Sequence, residues 1–545
     1  MEEREKENER AKTRILITDH ISEEGIRKLR EFGDVEIRVG VSEEELKARI
    51  ADYDALIVRS GTKVTREVIE AGTKLKVIGR AGVGVDNIDV DSATERGIMV
   101  VNAPGANTIS AAEHTIGMLL SLSRKIPAAN QSLKSGEWTR KKYMGVEVNG
   151  KILGIIGLGR VGGEVAKRAK GLGMRVVAYD PFISQDRAGE LGVSLMSFSE
   201  VLSISDFITI HAPLTKDTYH LIGKDEFEKM KDGVRIINCA RGGIIDENAL
   251  AEAIRSGKVA GAALDVFERE PPPVDSDLLK LDSVSVIVTP HLGASTEEAQ
   301  RAAAIVIADE VIRALENKPV RNAVNMIYVE EELMGVIKPY LVLAEKLGRL
   351  SAQLIPRDSR IEAFNASYEG EIGVASMDTR LITGAMLKSF LSWFTDGVNY
   401  VNAWAIAKKF GIKVTESKSE EVENFSSMVT LRVRTRGDAG LSRAVSGTLF
   451  GKGDIRIVGL DNYRIDASPS GFMLICSFID KPRVIGPVCT ILGDHNINIA
   501  GMQVGREKVG GKAVMVLNVD SSVGIELIEE IKKVPNVMDV KLVRL

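Results

Sequence analysis

The chain has 545 residues, of which 44% are hydrophobic, 27% charged and 5% aromatic, and its formal net charge is −4. A chain of this length is too long to fold around a single hydrophobic core, so we expect three or four domains. The slightly negative net charge argues against a nucleic-acid-binding protein, because such proteins carry an excess of basic residues. No apolar run reaches the roughly 18 residues that are needed to cross a membrane.

The beginning of the chain and its cysteines indicate a cytoplasmic protein. Residues 1–13 are rich in Glu, Lys, Arg and Asn, and they lack the apolar segment of a signal peptide, so we expect a charged, disordered tail. Cys239, Cys476 and Cys489 have no CxxC spacing and are too few for a disulfide framework. No metal-ligand spacing occurs in the sequence, so no metal site is expected.

Short apolar runs alternate with helical segments over residues 14–104, which is typical of a small α/β domain. Its predicted strands are Arg14–Thr18, Val35–Val39, Ala55–Arg59, Lys76–Arg80 and Met99–Asn102. A helical periodicity over Asn107–Lys125 predicts a helix that bridges to the next domain. Within it, Ser110 and Glu113 have the spacing of a capping box.

A β-branched run that ends at Ile156 leads into Gly157-x-Gly159-x-x-Gly162, a helical segment and a second apolar run that ends at Asp180. Gly157 permits the tight turn, Gly159 lets the backbone approach a pyrophosphate, and Gly162 lets the helix pack closely on the strand. The positive end of the helix then faces the diphosphate. A carboxylate at Asp180 accepts ribose hydroxyls and repels a 2′-phosphate. The segment therefore predicts a dinucleotide site that prefers NAD.

Six strands with helices between them are predicted from this point, which makes a complete doubly wound domain. They cover residues 152–156, 175–180, 207–211, 234–238, 260–265 and 284–288. The helix predicted over Ser295–Asn317 leads the chain back to the first domain. We therefore expect one domain over 105–294, a discontinuous one over 14–104 and 295–325, and a cleft between them.

Three polar residues follow predicted strands at the edge where open α/β sheets bind ligands: Arg241, Glu270 and His291. Oxidation of a 2-hydroxy acid needs these residue types. A guanidinium grips the carboxylate, and an imidazole removes the hydroxyl proton as hydride leaves the carbon. A carboxylate that is hydrogen-bonded to the imidazole fixes its tautomer and favours its protonated form.

Several segments resemble the D-2-hydroxyacid dehydrogenase family, and within it the long-form phosphoglycerate dehydrogenases. The matching segments are Val58–Ser60, Gly79–Asn87, Gly157–Gly162, Asn238–Gly243 and Pro290–Ala294. The resemblance covers about residues 14–320. It implies NAD-dependent oxidation of 3-phospho-D-glycerate to 3-phosphohydroxypyruvate, the entry to serine biosynthesis.

The same resemblance assigns roles residue by residue. It places the catalytic trio on Arg241, Glu270 and His291. Its cofactor contacts fall on Gly157, Gly159, Arg160, Val161, Gly162, Asp180, Cys239, Ala240, Arg241, Asp265, His291, Gly293 and Ala294. The segment Gly82, Val83 and Gly84 resembles the family's carboxylate-holding loop, where glycines expose backbone N–H donors. Arg59 and Arg80 lie at the ends of predicted strands and suit a phosphate, and Ser60 is expected to contact the substrate with them.

Two alternatives stay open at this point. Glyoxylate, formate and D-lactate dehydrogenases share the core motifs, and only the C-terminal extension separates them from the phosphoglycerate enzymes. NAD-sensing corepressors built on this fold also keep the Arg, Glu and His, but the acidic net charge and the extension argue against that class.

The C-terminal part of the sequence predicts an intervening α+β domain over 326–465, with no chemical constellation, and a βαββαβ module over 471–545. The module resembles an ACT domain, which implies an amino-acid effector, most simply serine, and a homo-oligomer, expected to be a tetramer. Asp480 and Asn498 match effector-contacting positions, whereas Arg483 stands where that family usually has glycine. A purely architectural role for the module is the alternative.

Overall fold

The computed structural model describes residues 13–328, 331–375, 377–437, 441–451 and 453–545. The expected tail, 1–13, lies outside the described residues except for its last one. Within these residues, four β-sheets follow one another along the chain. No helix in the described segments is long and apolar enough to cross a membrane.

The first sheet is a parallel five-stranded sheet in the order β2-β1-β3-β4-β5. Apolar clusters cover both of its faces, as a parallel sheet requires. Its strands are β1 (Arg14–Ile17), β2 (Asp34–Ile37), β3 (Ala55–Val58), β4 (Val77–Arg80) and β5 (Met99–Val101), and its helices are α1 (Glu23–Phe32), α2 (Glu43–Arg49), α3 (Arg66–Ala71) and α4 (Val90–Glu95).

Helix α5 (Thr108–Arg124) follows β5 and leads to α6 (Ile126–Lys134). The buried face of α5, including Met118 and Leu122, belongs to the core of the second sheet, so α5 is the predicted bridging helix. The predicted capping box is wrong. The helix begins after Asn107, and the Ser110 hydroxyl lies 2.7 Å from the Thr296 hydroxyl instead of capping the helix.

The second sheet has seven strands in the order β12-β11-β10-β9-β6-β7-β8, and all its pairs are parallel. The doubly wound fold is confirmed, but the prediction of six strands missed β8, which has two residues and therefore no periodicity to detect. The strands are β6 (Ile152–Ile156), β7 (Arg175–Tyr179), β8 (Ser194–Leu195), β9 (Phe207–Ile210), β10 (Val234–Asn238), β11 (Val259–Leu264) and β12 (Val286–Val288), and the helices are α7 (Arg160–Gly171), α8 (Gln185–Glu190), α9 (Phe198–Ile204), α10 (Lys224–Lys229) and α11 (Glu247–Arg255).

Helix α12 (Glu297–Leu315) returns the chain to the first sheet. It packs so closely there that a Cβ on Gly79 of β4 would lie 2.8 Å from the Val311 side chain. A Cβ on Gly25 of α1 would lie 2.7 Å from the backbone oxygen of Ala304. Glycine is therefore required at both contacts. The two crossing helices, α5 and α12, join the two sheets, which face each other across a cleft where Asp86 meets Arg241.

The third sheet is a mixed six-stranded sheet in the order β14-β13-β15-β16-β17-β18. Its core contains the aromatic side chains of Phe364, Tyr368 and Phe390. Its elements are α13 (Glu331–Leu354), β13 (Ile361–Gly370), α14 (Arg380–Leu391), α15 (Ala403–Lys409), β14 (Lys413–Ser419), β15 (Ser427–Thr435), β16 (Ser442–Phe450), β17 (Asp454–Leu460) and β18 (Tyr463–Ala467).

The fourth sheet is antiparallel, in the order β20-β21-β19-β22, and it has the predicted βαββαβ arrangement. One face is covered by its two helices. The other face, which includes Met473, Val516 and Val543, shares one core with α13 of the preceding unit. Its elements are β19 (Phe472–Ile479), α16 (Ile485–Asp494), β20 (Ile499–Arg506), β21 (Lys512–Val519), α17 (Ile525–Lys532) and β22 (Val537–Arg544).

Candidate active site

The glycine turn between β6 and α7 has the geometry of a dinucleotide site. Gly157 has φ +94°, and a Cβ there would lie 2.7 Å from the His211 backbone oxygen. A Cβ on Gly162 would collide with the Gly157 carbonyl, so helix and strand are in close contact. A Cβ on Gly159 would meet no atom within 4 Å. The turn is therefore open to solvent at the position where a pyrophosphate would lie, at the N-terminus of α7 with Arg160 and Val161 in its first turn.

Asp180 lies directly after β7 and is held against this turn. Its carboxylate accepts a 2.8 Å hydrogen bond from the Leu158 N–H and a 2.9 Å bond from the Phe182 N–H. The acid is thus fixed beside the glycine turn, where an adenosine ribose would lie. The observed position fits the expected role in the choice of NAD.

His291 and Glu270 form a hydrogen-bonded pair. Nδ1 of His291 lies 2.7 Å from Oε2 of Glu270, which leaves Nε2 for a substrate hydroxyl. Burial acts to raise the pKa of Glu270, but the His291 contact and the Phe267 N–H bond outweigh it and hold that pKa below its ordinary value. Glu270 is therefore charged at neutral pH and can stabilise a protonated imidazole.

Asp265, at the end of β11, anchors the loop that carries His291. Its side chain is fully buried, and its two carboxylate oxygens accept 2.7 Å hydrogen bonds from the Leu292 and Gly293 N–H groups. Burial acts to raise the pKa of Asp265, but hydrogen bonds from His114, Thr289 and the backbone lower it overall. The Asp265 carboxylate consequently stays charged where it holds the loop. Ala294 is the next residue of the loop after Gly293.

Arg241 follows β10 and reaches across the cleft. Asn238 donates to its carbonyl oxygen at 2.9 Å, and one guanidinium nitrogen donates to the Ala240 carbonyl at 2.7 Å. Its Nε lies 3.2 Å from the carboxylate of Asp86, which follows β4 of the other sheet. A side chain on Gly84 would collide with the guanidinium, so the close approach depends on that glycine.

Arg59 and Arg80 lie at the ends of β3 and β4 on the same side of the cleft. Nε of Arg80 is 3.4 Å from Oδ1 of Asn87, and the Asn87 amide donates to the Arg59 carbonyl at 2.6 Å. Burial, followed by repulsion from Arg241, lowers the pKa of Arg80 to about 10. Three guanidiniums therefore lie close enough to repel one another at Arg80, with Asp86 and Asp19 as nearby acids, and this concentration of arginines suits a multiply charged anion.

The remaining substrate-loop residues lie beside these arginines. The Asn102 amide donates to the Val83 carbonyl at 2.6 Å, which fixes the loop between Gly82 and Gly84. A Cβ on Gly82 would collide with the Arg80 guanidinium, whereas Ser60 is exposed after β3. The loop around Gly82 thus lies directly beside Arg80.

Cys239 is poorly suited to redox chemistry. Burial, and then the nearby charge of Asp265, raises the pKa of its thiol to about 12. The thiol is therefore protonated at neutral pH and is a weak nucleophile. Over the described residues, no three His, Cys, Asp or Glu side chains come together as metal ligands.

The two expected effector residues lie apart from each other in the fourth sheet. Asp480 follows β19 and pairs with Arg506 at 3.1 Å, whereas the Asn498 amide donates to Asp520 at 2.7 Å. Arg483 has φ +67°, a left-handed conformation that favours glycine. That conformation explains why glycine suits the position and why arginine there is a costly departure.

Comparisons with known proteins cover nearly the whole chain. The NAD-binding domain of D-isomer-specific 2-hydroxyacid dehydrogenases matches residues 116–293, the D-3-phosphoglycerate dehydrogenase intervening domain matches 336–461, and the ACT domain matches 473–536. D-3-phosphoglycerate dehydrogenase of Archaeoglobus fulgidus is 48% identical over 98% of this chain and 100% of its own. The chain belongs to the D-3-phosphoglycerate dehydrogenase family.

Other relatives agree with this membership. The D-3-phosphoglycerate dehydrogenase of Bacillus subtilis is 45% identical over 98% of this chain and 99% of its own. The crystal structure of a Staphylococcus aureus NAD-dependent formate dehydrogenase with NAD has a TM-score of 0.51 and 32% identity, and it covers 56% of this chain and 96% of that one. Members of the family bind NAD, and the open glycine turn and Asp180 described above fit that cofactor. The chain is therefore an NAD-dependent oxidoreductase, and the resemblance stated from its motifs is confirmed.

Four polar residues of the cleft were not predicted from sequence: Asp86, His114, Asn238 and Thr289. Asp86 and Asn238 lie inside the matching segments, so those motifs contained a signal for them. His114 lies next to Glu113 in the predicted bridging helix, where the capping-box spacing points to a structural role. Thr289 lies directly before the Pro290–Ala294 segment. The sequence distance between Thr289 and Asp265 gave no indication that the two side chains form a hydrogen bond.

Proposed function

We propose that the protein oxidises 3-phospho-D-glycerate to 3-phosphohydroxypyruvate with NAD. The observation that carries this proposal is the closeness of Arg59, Arg80 and Arg241, whose charges repel one another at Arg80, in a protein that also holds the His291–Glu270 pair. A substrate with a carboxylate and a phosphate at opposite ends matches that charge. The names of the full-length relatives support the same substrate.

Each end of the substrate has a distinct set of partners in this proposal. The guanidinium of Arg241 and the backbone N–H groups of Gly82–Gly84 hold the carboxylate, because a planar fork and consecutive N–H groups both suit it. Arg59 and Arg80 bind the phosphate. The second carbon, which carries the hydroxyl, then lies between these groups and faces His291.

His291 acts as the base. Its Nδ1 is engaged by Glu270, so Nε2 takes the proton of the substrate hydroxyl, and the carboxylate of Glu270 stabilises the imidazolium that forms. NAD, when bound, accepts the hydride from the second carbon. Arg241 polarises the developing carbonyl from the carboxylate side. In the reverse direction His291 returns the proton to the carbonyl oxygen.

The setting of the reaction is also part of the proposal. We expect a cytoplasmic homotetramer at the first step of the phosphorylated serine pathway, with serine as a feedback inhibitor through the ACT domain. The domain division expected from the sequence, with a substrate domain of 14–104 and 295–325 and an NAD domain of 105–294, is proposed with it. The ACT match supports an amino-acid effector of some kind.

The test is NAD reduction, followed by NADH absorbance, with 3-phosphoglycerate, D-glycerate and D-lactate as separate substrates. The proposal expects a strong preference for 3-phosphoglycerate. The His291→Ala variant should lose about two to four orders of magnitude in turnover, the range for a positioned general base. Equal activity on D-lactate, or near-normal turnover of the variant, would reject the proposal.

A further inference from the structure

The loop that carries His291 is held by one residue through three consecutive N–H groups. The His291 N–H donates to the Asp265 carbonyl at 2.9 Å, and the next two N–H groups donate to the Asp265 carboxylate. These bonds hold His291 at φ +54°, a conformation that residues other than glycine seldom adopt. The direction of the imidazole therefore depends on the position of the Asp265 carboxylate.

Two side chains in turn hold that carboxylate. The Thr289 hydroxyl donates to Oδ1 of Asp265 at 2.6 Å. Nε2 of His114 lies 3.2 Å from the same hydroxyl oxygen and 3.3 Å from Oδ1. Because the only hydrogen of the Thr289 hydroxyl is used on Asp265, its oxygen accepts, and Nε2 of His114 must carry the hydrogen.

His114 belongs to α5, the helix that joins the first sheet to the second. The helix packs against the core of the second sheet through Met118 and Leu122, so its face toward β11 and β12 is fixed. His114 is the side chain that connects this helix to Asp265. The packed position of α5 therefore sets the hydrogen-bond donor that Asp265 receives from this helix.

We propose that His114, together with Thr289, is a positioning residue for the base His291, acting through Asp265. The inference rests on the proposed role of His291 and adds to it a link between that base and the crossing helix. His114 does not contact the substrate in this proposal. Its contribution is to keep the Asp265 carboxylate, and with it the left-handed loop at residues 291–293, in the orientation that aims Nε2 of His291 at the substrate.

The test compares two variants at each position. His114→Leu removes the donor, whereas His114→Gln keeps an N–H group at nearly the same reach. We expect the leucine variant to lose about ten- to hundredfold in kcat, the scale of an ångström-sized misplacement of a reacting group. Its KM should change little, because Arg59, Arg80 and Arg241 are untouched. The glutamine variant should recover most of the lost kcat.

Thr289→Val and Thr289→Ser form the second pair, and they decide the matter if His114→Leu does not fold. The valine variant should lose kcat and the serine variant should keep it. His495→Leu, at an exposed position in the fourth sheet unit, is the control for loss of an imidazole. Melting temperatures are measured for every variant, because a merely structural role would lower stability without a selective fall in kcat.

The outcomes separate this inference from the proposed function. All variants are assayed with whichever 2-hydroxy acid the wild type oxidises, so the result does not depend on 3-phosphoglycerate. Loss of activity in His291→Ala with wild-type kcat in both His114→Leu and Thr289→Val overturns the inference alone. An equal loss in His114→Leu and His114→Gln also overturns it. Full activity of His291→Ala overturns the proposed function.

Discussion

Nδ1 of His291 and Oε2 of Glu270 lie 2.7 Å apart, although the two residues are separated by 21 positions. Glu270 follows strand β11, whereas His291 follows strand β12. The contact uses one of the two ring nitrogens. It therefore fixes both the tautomer and the direction of the imidazole, so the other nitrogen is available as the base. The pair has consequences for the pH dependence of the enzyme.

Glu270→Gln should move the acid limb of the kcat/KM profile to lower pH. The pKa of Glu270 is held below its ordinary value, so the carboxylate is charged throughout the neutral range. Replacing it with a neutral amide removes the charge that stabilises the imidazolium, and the ring then loses its proton at a lower pH. The measurement is a pH profile with Glu268→Gln, on the same loop, as the control. An unchanged acid limb would contradict the role of the pair.

Asp180→Ala should weaken NAD binding and relax the discrimination against NADP. The carboxylate beside the glycine turn is lost, and with it the ribose hydrogen bonds and the repulsion of a 2′-phosphate. We expect kcat/KM for NAD to fall by about tenfold or more, the scale of a charged hydrogen bond. Asp186→Ala, on the exposed helix α8, is the matched control. If the NAD-to-NADP ratio of the variant equals that of the wild type, Asp180 does not select the cofactor.

Arg80→Met should impair 3-phosphoglycerate much more than unphosphorylated D-glycerate. The phosphate loses a charged partner, and we expect an effect of about ten- to hundredfold on kcat/KM for the phosphorylated substrate. Arg30→Met, at an exposed ion pair with Glu23 on α1, controls for the loss of a surface arginine. Equal losses for both substrates would mean that Arg80 does not bind the phosphate.

Serine should inhibit the wild type and should inhibit Asp480→Ala less. Asp480 pairs with Arg506 in the structure, so an ammonium group that binds there must compete with that guanidinium. Inhibition also requires that serine bind the active and inactive states with different affinity. Activity and calorimetric titrations against serine test this, with Asp494→Ala as the surface control. Flat activity and no binding heat at millimolar serine would leave the module with an architectural role.

The sequence could predict those parts of the site whose chemistry lies in local spacing. Gly157, Gly159, Gly162 and Asp180 belong to one strand–turn–helix–strand unit, so the spacing alone placed them together. His291 and Glu270 required the additional rule that strands of one parallel sheet end at the same edge. Both predictions depend on short-range order or on sheet topology, which a single sequence contains.

The contacts between distant elements could not be predicted in this way. His114 and Thr289 are 175 residues apart, and Arg241 meets Asp86 across two different sheets. Such contacts depend on how whole helices and strands pack against one another, and the spacing of residues in the sequence does not indicate this packing. The capping box at Ser110 failed because the helix begins earlier, after Asn107, so that Ser110 lies within its first turn and its hydroxyl contacts Thr296.

The third and fourth sheets match two separate family models, but they do not have separate interiors. Met473, Val516 and Val543 of the last sheet lie in the same apolar cluster as α13, and Gln353 of that helix exchanges two 3.0 Å hydrogen bonds with the backbone of Arg544. Deleting the last 75 residues would uncover an apolar face of α13. The two sheets consequently share one interior, and a chimera that exchanges the final module must carry a matching α13.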